Sequence, residues 1–384
     1  MARHYLDHAS TSPARPEVIE AMLPWLRGGA DPGRVHTEGR LARAAVEQAR
    51  EQVAVLLGAR SREVVFTSGA TEAIATAIWG AASRGPHQVV SAVEHSAVRD
   101  AAARYDTTLL GVDGLGRIHP AEVDEAVRPG ETAAVHVQWG NHEVGTLQPI
   151  AALVARGRAL GVLVHVDAAA AAGHVPIDFD TLGADLLSVS AHKMGGPPGV
   201  GALLVRRGLR LPPLLVGGEQ ERSRRAGTEN VAGIVGFGAA AAALSTGSTL
   251  AGEMSRARAQ TARALDAATR LDGLVPYGDT EDRLPHVVCL GVAGVEAEAV
   301  LLGLDQAGVA VHSGSACSSE SLEPSPVLEA MGVEAERSLR LSVGWSTTEA
   351  NVDGFCDALP GVVERLRGLA GHGYGTSRPT REAR

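Results

Sequence analysis

Residues 63–82 read "EVVFTSGATEAIATAIWGAA". Val64, Val65 and Phe66 form a short apolar run of strand length, Gly69 interrupts it, and from Ala70 onward the apolar residues follow helical spacing. An apolar strand running through a glycine turn into a helix is half of a parallel crossover unit, because a strand buried on both faces needs helices on both sides. The same pattern continues outward from this stretch. "HQVVSAVEH" (87–95) leads into "SAVRDAAARY", "AAVHVQWGN" (133–141) leads into "IAALVARGRALG", and "VLVHVDA" (162–168) and "LLSVSAHK" (186–193) follow. The fold class this predicts is α/β, a mostly parallel sheet covered by helices. Ligands in such sheets sit outside the carboxyl ends of the strands, where "TSGAT", "EHS", "GNHE", "DAAA" and "SAHK" all fall.

Before the sheet, "EVIEAMLPWL" and "GRLARAAVEQAREQVAVLLGA" read as helices. After it, "VAGIVGFGAAAAALS" reads as a long helical stretch continuing into "TLAGEMSRARAQTARALDAATRL", followed by a smaller α+β portion. The expected division is an N-terminal arm and large domain over 1–250, a small domain over 251–370, and a disordered polar, glycine-rich tail over 371–384. The net charge of −9 argues against bulk attraction to nucleic acid or anionic membranes. No segment has the apolar length of a signal peptide or membrane span, so a cytoplasmic protein is expected. Three widely spaced cysteines, Cys289, Cys317 and Cys356, suggest neither disulfides nor a metal site.

Of the 35 basic side chains, Lys193 is the only lysine. Arginine supplies every other permanent positive charge, but it cannot form an imine with a carbonyl, and a lysine amine can. The plain reading of the missing lysines is genomic base composition, which leaves the one that remains unexplained. Around Lys193 the strand ends offer complementary chemistry. The N–H groups of Gly69, Ala70 and Thr71 with the Thr71 hydroxyl could hold a phosphate at a helix N-terminus, although a plain Thr-capped turn reads the same way. His95 could lie flat against an aromatic ligand or be an ordinary packed histidine. Asp167 is a carboxylate at the end of an apolar strand, in need of a cation or serving as a helix cap. Together they meet the requirements of pyridoxal phosphate. Cys317, in "SGSACSSESLEPS", reads as an exposed loop thiol able to ionise and attack. Cys289 reads as a buried strand residue and Cys356 as a packed helix position.

On these residues the chain resembles the cysteine desulfurases, pyridoxal-phosphate enzymes of the class V aminotransferase group with the type I fold. The resemblance runs from "YLDHASTSP" through "FTSGATE", "VEHSAV", "GNHEVGTLQPI", "HVDA", "SVSAHKMGGPPGVGALLV", "GGEQERSRRAGTENVAGIVG" and "SGSACSSESLEPSPVLEAMG" to "SLRLSVG". The long segment around Cys317 is similar to the branch that hands sulfur directly to partner proteins. The resemblance implies that Lys193 holds the cofactor and later moves protons, that Asp167 pairs with the pyridine nitrogen, and that His95 stacks on the ring. Ala70, Thr71, Ser190 and His192 would hold the phosphate, with Thr228 arriving from the second subunit of a homodimer. Arg340 and Asn141 would bind the substrate, and His142 would lie beside the cofactor's phenolic oxygen. Cys317 would take sulfur from L-cysteine as a persulfide, release alanine and pass the sulfur to an acceptor protein.

Four departures from the family pattern cluster at these motifs. Asn141-His142-Glu143 stands for Asn-Asn-Glu, Ala170 for a glutamine that reaches the phenolic oxygen, Asp31 for an asparagine expected near the substrate carboxylate, and Ala73, Ile74 and Ala75 for polar residues. Two other readings stay open at this point: a pyridoxal-phosphate lyase or transaminase acting on another amino acid, and a degenerate homologue serving as sulfur carrier or scaffold.

Overall fold

The computed structural model describes residues 3–313 and 324–372. The described strands are β1 (His4–Tyr5), β2 (Val64–Thr67), β3 (His87–Ser91), β4 (Asp106–Leu110), β5 (Thr132–Gln138), β6 (Leu163–Asp167), β7 (Leu186–Ser190), β8 (Gly201–Val205), β9 (Leu274–Tyr277), β10 (Val287–Val292), β11 (Val309–Ala310) and β12 (Ser338–Ser342). A seven-stranded sheet has the order β2-β8-β7-β6-β5-β3-β4. Pairing is parallel from β4 to β7, and β8 is antiparallel to both its neighbours.

The predicted class is the one observed. The pattern did not pick out β4 or β8. β4 is a half-exposed edge strand without the expected apolar run. β8 returns from β7 through a turn rather than a helix, and Gly195 and Gly199 supply left-handed backbone there (φ 83° and 77°). Because β8 lies between β2 and β7 and runs against both, the carboxyl ends of β2, β3, β5, β6 and β7 all open at one edge of the sheet.

β5, β6 and β7 are buried along their whole length, as parallel strands covered on both faces must be. The helix Val231–Ser245 is apolar nearly all round and packs against the helices Thr37–Leu56 and Pro16–Arg27. Gly238 permits that approach, since a Cβ there would meet the Ala49 Cα at 2.6 Å. The expected continuous helical stretch is broken: Val231–Ser245 and Thr249–Thr269 meet at 80°. Among the described residues no single helix is long and apolar enough to cross a membrane.

A second, three-stranded sheet has the order β12-β10-β9, and β1 pairs with β11. Its apolar cluster includes Leu6 along with Val288, Leu290, Leu339, Phe355 and Val362, so the N-terminal arm packs with the C-terminal sheet. The expected disordered tail lies outside the described residues, apart from the end of the helix Glu349–His372.

Candidate active site

A cavity of about 400 Å³ opens at the carboxyl edge of the large sheet. Ala70, Thr71, His95, His142, Asp167, Ser190, His192 and Lys193 all line it, so eight of the residues predicted from sequence converge on one volume.

At one end stands the N-terminus of the helix Ala70–Ala81. Gly69 precedes it without any side-chain cap, leaving the first N–H groups of the helix for a ligand. Ser190 and His192 line the same cavity from the end of β7. The backbones meet closely here: a Cβ on Gly201 would lie 2.7 Å from the Gly69 carbonyl carbon, so β8 approaches the turn only as glycine. Burial pushes His192 down to about 4, with Lys193 adding to the effect, so the ring is neutral near neutral pH.

Lys193 lies in the single turn Ala191–Met194, closed by left-handed Gly195. Its Nζ donates to the Ala9 carbonyl of the N-terminal arm. Asp167 ends β6 and is 7% exposed, with Oδ1 accepting from the Ala169 N–H at 2.9 Å. Burial holds its carboxyl above the ordinary carboxylate range even though His142 and Lys193 act against this. An incoming cation would relieve that penalty. An anion-ready helix terminus, an amine and a buried carboxylate in one cavity fit a ligand that joins a phosphate, a carbonyl and a basic ring.

His95 caps the helix Ser96–Ala102, with Nδ1 accepting from the Ala97 N–H at 3.0 Å. Burial, with His142 next in effect, takes it down to about 3, so this wall is an uncharged ring. The His142 ring meets it edge-on, with centroids 4.9 Å apart. Ala170 and Ile74, two of the departures, also line the cavity.

Sequence reasoning missed two groups. Gln138 ends β5 in register with Asp167 and faces the cavity, its Nε2 donating to the Val93 carbonyl at 2.6 Å. The usable signal was that β5 and β6 end level with each other. Glu94 is buried beside them, accepting from the Gln138 N–H at 2.7 Å, and its Oε2 has no hydrogen-bond partner among the described residues. Burial, reinforced by Asp167, raises its pKa well above the ordinary value.

Other expected residues do not line the cavity. The Asn141 side chain is fully buried and staples its own turn: Oδ1 accepts from the N–H groups of Glu143 and Val144 at 2.8 Å, and Nδ2 donates to the Val93 carbonyl at 3.2 Å. These backbone bonds occupy its amide, and it is absent from the cavity lining. Arg340, on β12, donates to the His142 carbonyl (2.9 Å), Asp7 (3.0 Å) and Ser10 (2.8 Å), while its buried Nε has no partner among the described residues. It ties the N-terminal arm and the second sheet to the His142 turn. Asp31 is partly exposed and engaged with the Gly33 N–H and Arg34, outside the cavity lining.

Thr228 lines a smaller adjoining cavity that shares Ser68 and Gly199 with the first. The loop before it is strained, with Glu221, Arg222 and Ser223 all at positive φ (48°, 59° and 61°). The Glu221 carboxylate pins it by accepting from Arg50 (2.7 Å) and the Phe66 N–H (2.9 Å). Cys317 lies outside the described residues. Cys289 is buried in β10, and Cys356 is partly buried in the C-terminal helix, as expected. Among the described residues no group of His, Cys, Asp or Glu could hold a metal ion.

A family model described as Aminotransferase class-V matches residues 4–355. "Cysteine desulfurase IscS" of Dictyoglomus turgidum is 40% identical over 381 residues, spanning 95% of this chain and 96% of its own length. "Putative cysteine desulfurase IscS 1" of Bacillus subtilis is 43% identical over 383 residues, spanning 95% of this chain and all of its own. Among solved structures, a "NifS-like protein" superposes with a TM-score of 0.87 at 30% identity, covering 95% of this chain and 100% of that one. A structure titled "SspA in complex with cysteine" has a TM-score of 0.78 at 31% identity, covering 88% and 98%.

Proposed function

The chain belongs to the class V aminotransferase family, among the cysteine desulfurases, and on that premise we propose that it binds pyridoxal phosphate in the cavity around Lys193 and removes the sulfur of L-cysteine. The observation that carries this reading is the placing of the sole lysine between an uncapped helix N-terminus and a buried carboxylate. Bound there, the cofactor supplies an aldehyde for the lysine amine and an electron-withdrawing ring.

The chain's own residues do the rest. Gly69, Ala70 and Thr71, with Ser190 and His192, hold the phosphate. His95, neutral, presents a flat face to the ring. Asp167 regains a cationic partner and sheds the cost of its burial. Lys193 first anchors the cofactor, then carries protons to and from the substrate carbon. Arg340 offers the substrate carboxylate its Nε, which has no partner among the described residues. His142 serves as a donor to the phenolic oxygen, which Ala170, lining the same cavity, cannot do.

The Cys317 thiolate attacks the substrate sulfur. An S–S bond forms as the C–S bond breaks, and the carbon keeps the electron pair and takes a proton. Cys317 thiol plus cysteine thus yields Cys317 persulfide plus alanine, and no outside oxidant or reductant is required. An acceptor protein then takes the sulfur. We extend the proposal to a homodimer: Thr228 lines the smaller cavity that adjoins the first through Ser68 and Gly199, and Ile19, Leu23 and Leu26 form an exposed apolar face one helix-side wide on Pro16–Arg27.

The test is an absorbance spectrum of the purified protein before and after L-cysteine, with alanine measured in the same tube. The expected result is a yellow protein whose band responds while alanine accumulates. A yellow protein making no alanine sinks the desulfurase reading, and one that stays colourless with added pyridoxal phosphate sinks the cofactor reading.

A further inference from the structure

The lysine turn is held by its carbonyls. The His192 carbonyl accepts from the Ser12 N–H (3.0 Å), Met194 from Arg15 Nε (3.1 Å) and Gly195 from the Arg15 N–H (2.9 Å). These three restraints come from the N-terminal arm. The fourth, on Lys193 itself, comes from elsewhere: His174 Nε2 lies 3.0 Å from the Lys193 carbonyl. A carbonyl cannot donate, so His174 carries its proton on Nε2. Its ring is stacked on His286 at 3.5 Å between centroids and 14° between planes.

His286 enters β10, and its own carbonyl accepts from the Val343 N–H at 3.0 Å, just beyond β12. The stack therefore joins the lysine turn to the sheet that bears Arg340. Packing leaves little freedom, since a Cβ on Gly173 would lie 2.4 Å from the Met194 Cβ. The charged and titratable groups around the stack include Lys193, Arg15, His8 and Arg340, with Glu253, paired to Arg15, lining a small cavity beside His174. Burial takes His174 to about 4, so a neutral ring with one proton is the form present near neutral pH.

We propose that His174 is a positioning residue for Lys193: its Nε2–H fixes the lysine's own carbonyl, and its stack on His286 ties the lysine turn to the second sheet. This rests on the reading of Lys193 as the cofactor-bearing amine. Nothing in the proposal asks His174 to touch cofactor or substrate.

The test compares the full chain with His174→Gln, whose amide keeps a donor at the same reach, and His174→Leu, which fills the ring volume without one. The expected result for His174→Leu is a displaced cofactor absorbance band and cofactor loss faster by about fivefold, the effect of one neutral hydrogen bond. His174→Gln is expected to restore both. A folded leucine variant with the unaltered band and unaltered cofactor retention overturns the proposal, as does a glutamine variant no better than leucine.

A second measurement does not depend on the leucine variant folding. Nitrogen-15 NMR of the unaltered protein should show His174 as the Nε2–H tautomer with a slowly exchanging proton, assigned by its absence in His174→Gln. An Nδ1–H tautomer overturns the proposal. Borohydride reduction of the loaded protein followed by peptide mass analysis separates the two readings. Lys193 left unmodified sinks the cofactor reading, whereas a modified Lys193 with the wrong His174 tautomer sinks only this one.

Discussion

Gln138, Asp167 and Ser190 end three neighbouring strands, and two residues before them on the same strands stand His136, His165 and Ser188. Alternation along a strand puts both sets on one face of the sheet. The outer set faces the cavity. The inner set is spent on itself: Ser188 Oγ lies 2.8 Å from His165 Nε2, His165 Nδ1 lies 3.0 Å from His136 Nδ1, and His136 Nε2 lies 2.8 Å from Gln88 Oε1. With Gln88 Oε1 as the terminal acceptor and one proton on each ring, donors point from Ser188 towards Gln88. The two sets differ in what remains to be satisfied. The inner one pairs its ring nitrogens and hydroxyl among themselves and with Gln88 Oε1 and so holds β3, β5, β6 and β7 together; the outer one keeps Asp167 as a buried carboxylate at energetic cost, which a cationic ligand relieves.

The largest expected effect lies in the inner set. His165→Ala leaves the Ser188 hydroxyl and a His136 nitrogen unpartnered around a new void, and should destabilise the fold by about 2–4 kcal/mol in urea unfolding. Replacing both rings with leucine should cost less than the two single substitutions added together, because neither ring then strands the other. Strict additivity would mean that the rings are not coupled.

Asp167→Asn tests the outer set and should do the opposite. Folding stability stays level or rises, since a costly buried carboxylate is removed, while cofactor affinity falls by about thirtyfold to a hundredfold, the loss of one charge-assisted contact. Equilibrium dialysis against pyridoxal phosphate measures it. A variant that loses stability but keeps its affinity would place Asp167 with the structural set.

Asp167 and Ser190 of the outer set were legible in the sequence because strand ends in an α/β sheet are where ligands sit, and Lys193 was legible because it has no rival. The inner set was not. A histidine inside "AAVHV" or "VLVHV" looks like any strand interruption until the register puts His136 opposite His165. Gln138 was passed over for the same reason: its importance lies in ending level with Asp167, and pairing register is not written in either strand alone. Asn141 and Arg340 were recognised as residues but not in their local roles, since the backbone groups they engage belong to a turn and an arm far away in sequence. β8 was hidden because the pattern sought a helix between strands, and this connection is a glycine-rich turn.

Acid should also separate the two sets. Burial takes His136 to about 3 and His165 well below its ordinary 6.5. Unfolded, both rings take protons near their ordinary value; folded, they do not. The unfolded chain therefore binds more protons below about 6.5, and stability is lost as pH falls from there, at up to about 1.4 kcal/mol per unit for each ring. Glu94 runs the other way. Its pKa is raised by burial, so the stability it contributes is present at low pH and lost as pH rises through its folded value. The paired leucine variant at 136 and 165 should flatten the acid limb by as much as two histidines. An unchanged limb would assign acid sensitivity to the histidines around Lys193, where His8 and His174 are also held near 4.

The smallest effect is expected at Ala170, and it sharpens the comparison from the cavity side. Ala170 lines the cavity near Asp167 and His142, and a longer side chain there extends into open volume rather than into the packed core. Ala170→Gln should therefore change stability by less than about 1 kcal/mol. On the proposed cofactor placement it should nonetheless move the absorbance band, because it adds a hydrogen-bond donor to the cavity wall shared with His142. If the band moves in Ala170→Gln, and moves further once His142 is also replaced by asparagine, the two positions share one task and the chain has shifted it from one strand end to the other. An unmoved band with cofactor fully bound would mean that this wall of the cavity does not touch the oxygen, and the tuning of the ring would then fall to Asp167 and His95.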